Sequence, residues 1–154
     1  MPDPAPSRAT SLPVGSDADL ARVRRQIRQA AAGLGFGLVQ QTKLVTAASE
    51  LARNTLVHGG GGHVEITPLT LGEPRGLRLS FVDRGPGISD IELAMTDGYT
   101  SGGGLGLGLS GSRRLVDEFA LDTEPGTGTT VTVTSWTTAI PAARPGRGTG
   151  AAAR

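Results

Sequence analysis

The sequence predicts an α+β fold: a two-layer α/β sandwich in which helices cover one face of a mixed, mostly antiparallel sheet. Three observations predict it. Helical apolar spacing runs through the first third of the chain, up to His58. Strand-like alternation then comes in pairs joined by Gly/Pro turns, whereas a doubly wound parallel sheet would place single strands between helices. The length, 154 residues, suits one domain with one core.

The elements follow in order. Ser16-Asp17 opens a helix, with Asp17 and Asp19 at its positive N-terminal end. Leu20, Val23, Ile27, Ala30 and Ala31 share one face, and Gly33 and Gly35 end it. A second helix spans Gly37 to His58, with an apolar face of Leu38, Leu44, Val45, Ala48, Leu51, Ala52 and Leu56, and stops at Gly59 to Gly62. His63 to Thr67 and Leu77 to Val82 alternate as a hairpin around a Gly72-Glu73-Pro74-Arg75-Gly76 turn. A short helix is expected over Asp90 to Met95, and a further helix over Leu107 to Phe119. Ala120 to Thr123 and Thr129 to Trp136 form a second hairpin around Pro125 to Gly128. Residues 1–10 and 138–154, rich in Pro, Ala, Gly and Arg without periodicity, are expected to be disordered flanks of an ordered domain at 11–137.

Composition narrows the function classes. Fifteen basic against fourteen acidic residues leave a net charge of +1, so no nucleic-acid footprint is indicated. The absence of cysteine removes disulfides, thiolate zinc sites and cysteine nucleophiles. No apolar run is long enough to span a membrane, and Met1 to Pro6 lacks the basic start and apolar stretch of a signal peptide. A cytoplasmic protein with no membrane partner is expected.

Three motifs carry candidate chemistry. Glu50, Arg53 and Asn54 share one face of the second helix, beside its apolar stripe. Alone, they read first as an exposed polar patch with an intrahelical Glu-Arg pair. A carboxylate and an amide oxygen on one face also suit Mg²⁺. Asp83-Arg84-Gly85-Pro86-Gly87 follows a strand directly. Alone it reads as a tight turn with an Asp cap. Its carboxylate can also accept from an exocyclic amine such as that of adenine, while the glycines let a flat ring approach. Gly102 to Leu109 is a glycine run interleaved with leucines that leads into a helix, a pattern that offers bare backbone amides to phosphate. A Walker A loop is excluded, because the only lysine is Lys43. The G-x-G-x-x-G match at Gly106 to Gly111 has no preceding strand, so it is not a dinucleotide fingerprint.

The ordered set Glu50-x-x-Arg53-Asn54, Asp83-x-Gly85-x-Gly87 and Gly104-Leu105-Gly106-Leu107-Gly108 resembles the N, G1 and G2 boxes of the GHKL (Bergerat-fold) ATPase and kinase superfamily. Within it, Ser49 to Asn54 and Gly104 to Phe119 resemble the RsbT-type serine/threonine switch kinases. The resemblance covers about residues 11 to 137. It implies ATP and Mg²⁺ as cofactors and assigns roles. Asn54 would hold Mg²⁺, and Glu50 would orient or deprotonate the nucleophile. Asp83 would bind the adenine amine, with Gly85 and Gly87 beside the ring. Gly104, Leu105, Gly106, Leu107 and Gly108 would meet the phosphates. Arg53 would reach phosphate or pair with Glu50. Thr130 resembles the family threonine near adenine, with Thr129 as the adjacent alternative. Val57 stands where histidine kinases often carry a basic residue, and His58 is read as a helix-end cap or a neighbour of the nucleotide. No phosphoacceptor-histidine helix precedes the domain, so a complete histidine kinase is not expected. The implied activity is a protein kinase acting on a STAS-domain partner, with a PP2C-type phosphatase or a sigma-factor pathway protein as further partner. The alternative is a nucleotide-gated anti-sigma or STAS-binding protein with little phosphoryl transfer.

Overall fold

The computed structural model describes residues 9–88, 95 and 108–137. The helix expected over Asp90 to Met95 and the terminal segments expected to be disordered lie largely outside them. Eight elements are described: β1 (Thr10–Val14), α1 (Asp17–Leu34), α2 (Leu38–Val57), β2 (Gly62–Leu69), β3 (Gly76–Asp83), α3 (Gly108–Arg114), β4 (Glu118–Glu124) and β5 (Gly128–Trp136). The strands form one sheet in the order β1-β2-β3-β5-β4, and every described pairing is antiparallel. The α+β sandwich is borne out, with its sheet antiparallel throughout the described residues.

Local signals set the helix limits. Ser16 caps α1 by accepting from the Asp19 N–H at 3.2 Å. The Asp19 carboxyl in turn accepts from Gly15 N–H at 2.9 Å and pairs with Arg22 at 2.8 Å. The Gly15 N–H is the main cause that holds Asp19 below its ordinary 3.8. A carboxylate lowered in the folded state stabilises fully above its unfolded value, and that contribution is lost as pH falls through the folded one. Gly35, at φ 97°, closes α1 in the left-handed region, and its N–H bonds Ala31 and Ala32 carbonyls. At the start of α2, Gln40 reaches back to Gly37 N–H and also donates to the Trp136 carbonyl at 2.9 Å, tying the helix to the end of β5.

The core lies between the helices and one sheet face. Val23, Ile27, Leu44 and Leu51 from the helices meet Val64, Leu77, Leu79 and Phe81 from the sheet, all essentially without solvent contact. The period of two then assigns faces: Leu77, Leu79, Phe81 and Asp83 point toward the helices, Arg78, Ser80 and Val82 away.

Two elements differ from the sequence reading. β1 was not foreseen, because Pro13 and the Pro-rich flank argue against a strand. As an edge strand paired only with β2, it tolerates the missing donor of Pro13. The third helix ends at Arg114 rather than Phe119. Phe119 and Leu121 satisfy a strand as well as a helix. Strand geometry wins because Glu118 to Glu124 completes the ladder on β5, with Asp117 bonding both Thr134 and Trp136 backbone at its entrance.

Candidate nucleotide site

The site gathers where the C-terminal end of α2, the loop after β3 and the β4–β5 turn converge. Glu50 and Asn54 lie half-buried on α2, one turn apart, beside the buried Ala47, Ala48 and Leu51; Arg53 is exposed next to them. Asp83 ends β3 on the helix-facing side. One carboxylate oxygen accepts from Gly85 N–H at 2.8 Å, so the Asp-capped turn is present. A carboxylate has about four acceptor positions, so this bond orients the group without exhausting it.

The second oxygen of Asp83 lies over Gly59, two residues beyond α2. A Cβ at position 59 would stand 2.6 Å from that oxygen and closer still to the carboxyl carbon. Gly85 also packs on the Gly59 backbone, where its own Cβ would come 2.7 Å from the Gly59 Cα. Gly59 therefore does more than stop a helix: it is the seat that lets the β3 carboxylate reach α2. Gly59→Ala should cost about 1–3 kcal/mol through overpacking. It should also weaken nucleotide binding by displacing Asp83. Thermal unfolding and ATP titration of the variant check both effects.

Gly87, at φ 78°, meets the Glu124 carbonyl of the β4–β5 turn, and Gly126 N–H donates to the Pro86 carbonyl at 2.7 Å. The two glycines of the loop thus serve close backbone approach, Gly85 to α2 and Gly87 to the turn. Among the glycine-run residues, Gly108 is placed as the first residue of α3, at φ 73°, and α3 packs on α2. Gly104, Leu105, Gly106 and Leu107 lie outside the described residues.

The sheet register decides between the two threonines. Thr129 pairs with Asp83 and shares its helix-facing side, whereas Thr130 pairs with Val82 and turns to the outer face. Of the two threonines expected near adenine, Thr129 is therefore the one on the same face as Asp83. Parity counted back from buried Val131 and Val133 would have found this in the sequence. His58 is exposed and caps α2 through its backbone N–H to the Asn54 carbonyl at 2.9 Å. Among the described residues no group of three His, Cys, Asp or Glu could hold a metal ion. A metal here would therefore depend on Asn54 and on oxygens brought by the ligand, as Mg²⁺ does when bound to phosphates. The glycine seat, the oriented carboxylate and the amide oxygen fit a Mg²⁺–nucleotide.

The chain belongs to the histidine kinase-, DNA gyrase B- and HSP90-like ATPase family, whose model matches residues 39–138. ATP use follows from that membership, and the GHKL expectation is borne out. Within the family it is most informatively compared with the serine/threonine-protein kinase RsbT of Bacillus subtilis, to which it is 42% identical over 118 residues, covering 77% of this chain and 89% of that one. It is also 35% identical over 91 residues to an anti-sigma F factor of Clostridium acetobutylicum, covering 55% of this chain and 62% of that one. The fold matches the RsbU and RsbW domains of a Mycobacterium tuberculosis protein with a TM-score of 0.58 at 24% identity, covering 85% of this chain and 33% of that one. Among the described residues no helix is long and apolar enough to cross a membrane.

Proposed function

We propose that this chain is an ATP-dependent serine/threonine protein kinase of the RsbT type. Its substrate is a serine or threonine of a STAS-domain protein in a bacterial stress or sigma-factor switch in the cytoplasm. A PP2C-type phosphatase or another sigma-factor pathway protein is the further partner. The observation that carries this reading is the seat of Asp83 on Gly59, at the end of the helix that bears Glu50 and Asn54. At 1.5 Å per residue, Asn54 stands about 4.5 Å and Glu50 about 10.5 Å back from Val57, the helix end that precedes that seat. The order Asp83, Asn54, Glu50 supports their use as base anchor, metal ligand and proton acceptor for adenine, phosphates and an attacking hydroxyl.

In this reading Asp83 accepts from the exocyclic amine of adenine. Asn54 offers its side-chain oxygen to Mg²⁺, which supplies neutralising charge to the phosphates. Arg53 and the amides of Gly104 to Gly108 contact phosphate. Glu50 takes the proton of the attacking hydroxyl as its oxygen bonds the γ-phosphorus and the bond to ADP breaks. Such chemistry needs chiefly positioning and charge stabilisation, which a small site can supply.

The similarity to anti-sigma F factors favours a second reading, a nucleotide-gated binder of a sigma factor or STAS partner with little phosphoryl transfer. Transfer of label from γ-labelled ATP to a STAS-domain protein encoded beside this one separates the two. Labelled serine or threonine on the partner supports the kinase. An unlabelled partner held in a complex that depends on ATP supports the binder.

A further inference from the structure

A small hydroxyl network ties the β4–β5 turn to the loop after β3, and the reading above does not use it. Ile88 N–H donates to Thr123 Oγ1 at 2.9 Å. The same oxygen lies 3.2 Å from the Gly128 carbonyl and 2.9 Å from Thr129 Oγ1. Thr123 pairs with Thr129, and Thr129 with Asp83, so all three share the helix-facing side.

A threonine hydroxyl has one proton and two acceptor lone pairs. The three contacts of Thr123 are satisfied together in one way only. Thr123 donates to the Gly128 carbonyl and accepts from both Ile88 N–H and Thr129 O–H. With the opposite polarity Thr123 would donate to Thr129, and the Gly128 carbonyl would lose that bond. In the saturated arrangement Thr129 spends its only proton on Thr123. Thr129, the cross-strand partner of Asp83, then has lone pairs alone left to present. In the pose that sets the 6-amine of adenine against Asp83, an accepting Thr129 matches that amine, whereas guanine held in the same pose turns its 6-oxygen toward the acceptors and leaves them facing each other.

We propose that Thr123 is a positioning residue that sets the base selectivity of the site, holding Thr129 as an acceptor so that ATP is preferred to GTP. The inference rests on the nucleotide-site reading above. Thr123 itself touches no nucleotide. It acts through Thr129 and through the Ile88 backbone.

The test compares native protein with Thr123→Val and Thr123→Ser, full chains, by calorimetric titration with Mg²⁺–ATP and Mg²⁺–GTP. Valine keeps the shape and removes the hydroxyl, which frees the Thr129 proton to meet a carbonyl oxygen. ATP affinity should fall about tenfold. GTP affinity should hold or rise, so the preference for ATP shrinks by about the same factor. Serine should restore both values. A parallel loss for the two nucleotides, or an unchanged ratio, would overturn the assignment. If Thr123→Val does not fold, Thr129→Val takes its place: the preference must shrink there too, and an unchanged ratio overturns the proposal. A native protein that binds neither nucleotide overturns the nucleotide reading itself, and this inference with it.

Discussion

Replacing Glu50 with alanine is expected to slow phosphate transfer by about 10²- to 10⁴-fold, the usual contribution of a positioned general base. Mg²⁺–ATP should still bind within a few-fold of native affinity. The separation follows from where Glu50 lies. It stands half-buried on α2, one turn before Asn54 and far along the helix from the Asp83 seat. A group that takes a proton only as the new bond forms stabilises the transition state and not the bound ground state. The loss should therefore fall on kcat and leave KM for ATP nearly unchanged. Single-turnover transfer to the proposed STAS-domain substrate, alongside calorimetry with ATP, measures the two separately. An undiminished transfer rate in Glu50→Ala would remove Glu50 from the chemistry.

Asp83→Asn is expected to do the opposite: ATP affinity falls by about a hundredfold, as for the loss of a charged hydrogen bond, with the fold intact. The asparagine oxygen can keep the bond from Gly85 N–H, at 2.8 Å in the native turn. Its amide nitrogen then takes the place of the oxygen above Gly59 and presents donors to an amine that also donates. The turn survives while the base meets the wrong polarity. Thermal unfolding close to native, combined with a large rise in KM for ATP and partial recovery of kcat at high ATP, is the expected pattern. A variant that binds ATP normally would move the base elsewhere.

Much of this was legible in the sequence because it is local. Ser16 before an acidic first turn, Gly35 after an apolar face, and a hairpin with period-two alternation are each set by nearest neighbours. The face shared by Glu50, Arg53 and Asn54 is equally local, since spacing along a helix fixes it. What was not legible depends on partners distant in the chain. β1 exists because β2 offers a free edge, which no feature of Thr10 to Val14 announces. Phe119 carries both helical and strand spacing, and only the ladder on β5 decides between them. Gly59 reads as a helix stop, yet its missing Cβ is filled by a carboxylate 24 positions later in the chain. Thr123 looks like any strand-end threonine until the register sets it against Thr129 and Ile88. The face of Thr129 is local again, since the parity of Val131 and Val133 puts it on the helix side and Thr130 on the other.

Glycine is dense around the site because segments approach closely there, not because the chain must flex. Gly59, Gly85, Gly87 and Gly128 each stand where a Cβ would strike the backbone or side chain of another segment. Together they let α2, the β3 loop and the β4–β5 turn close on one another. Binding and chemistry then act on parts whose relative positions are set by backbone contact.

The most direct test of that central claim is amide hydrogen exchange of the native protein with and without Mg²⁺–ATP. Slower exchange is expected in three segments, 59–62, 83–88 and 123–129, with no change along Arg78, Ser80 and Thr132 on the outer sheet face. ATP binding that leaves those three segments unprotected, or that protects the outer face instead, would contradict it.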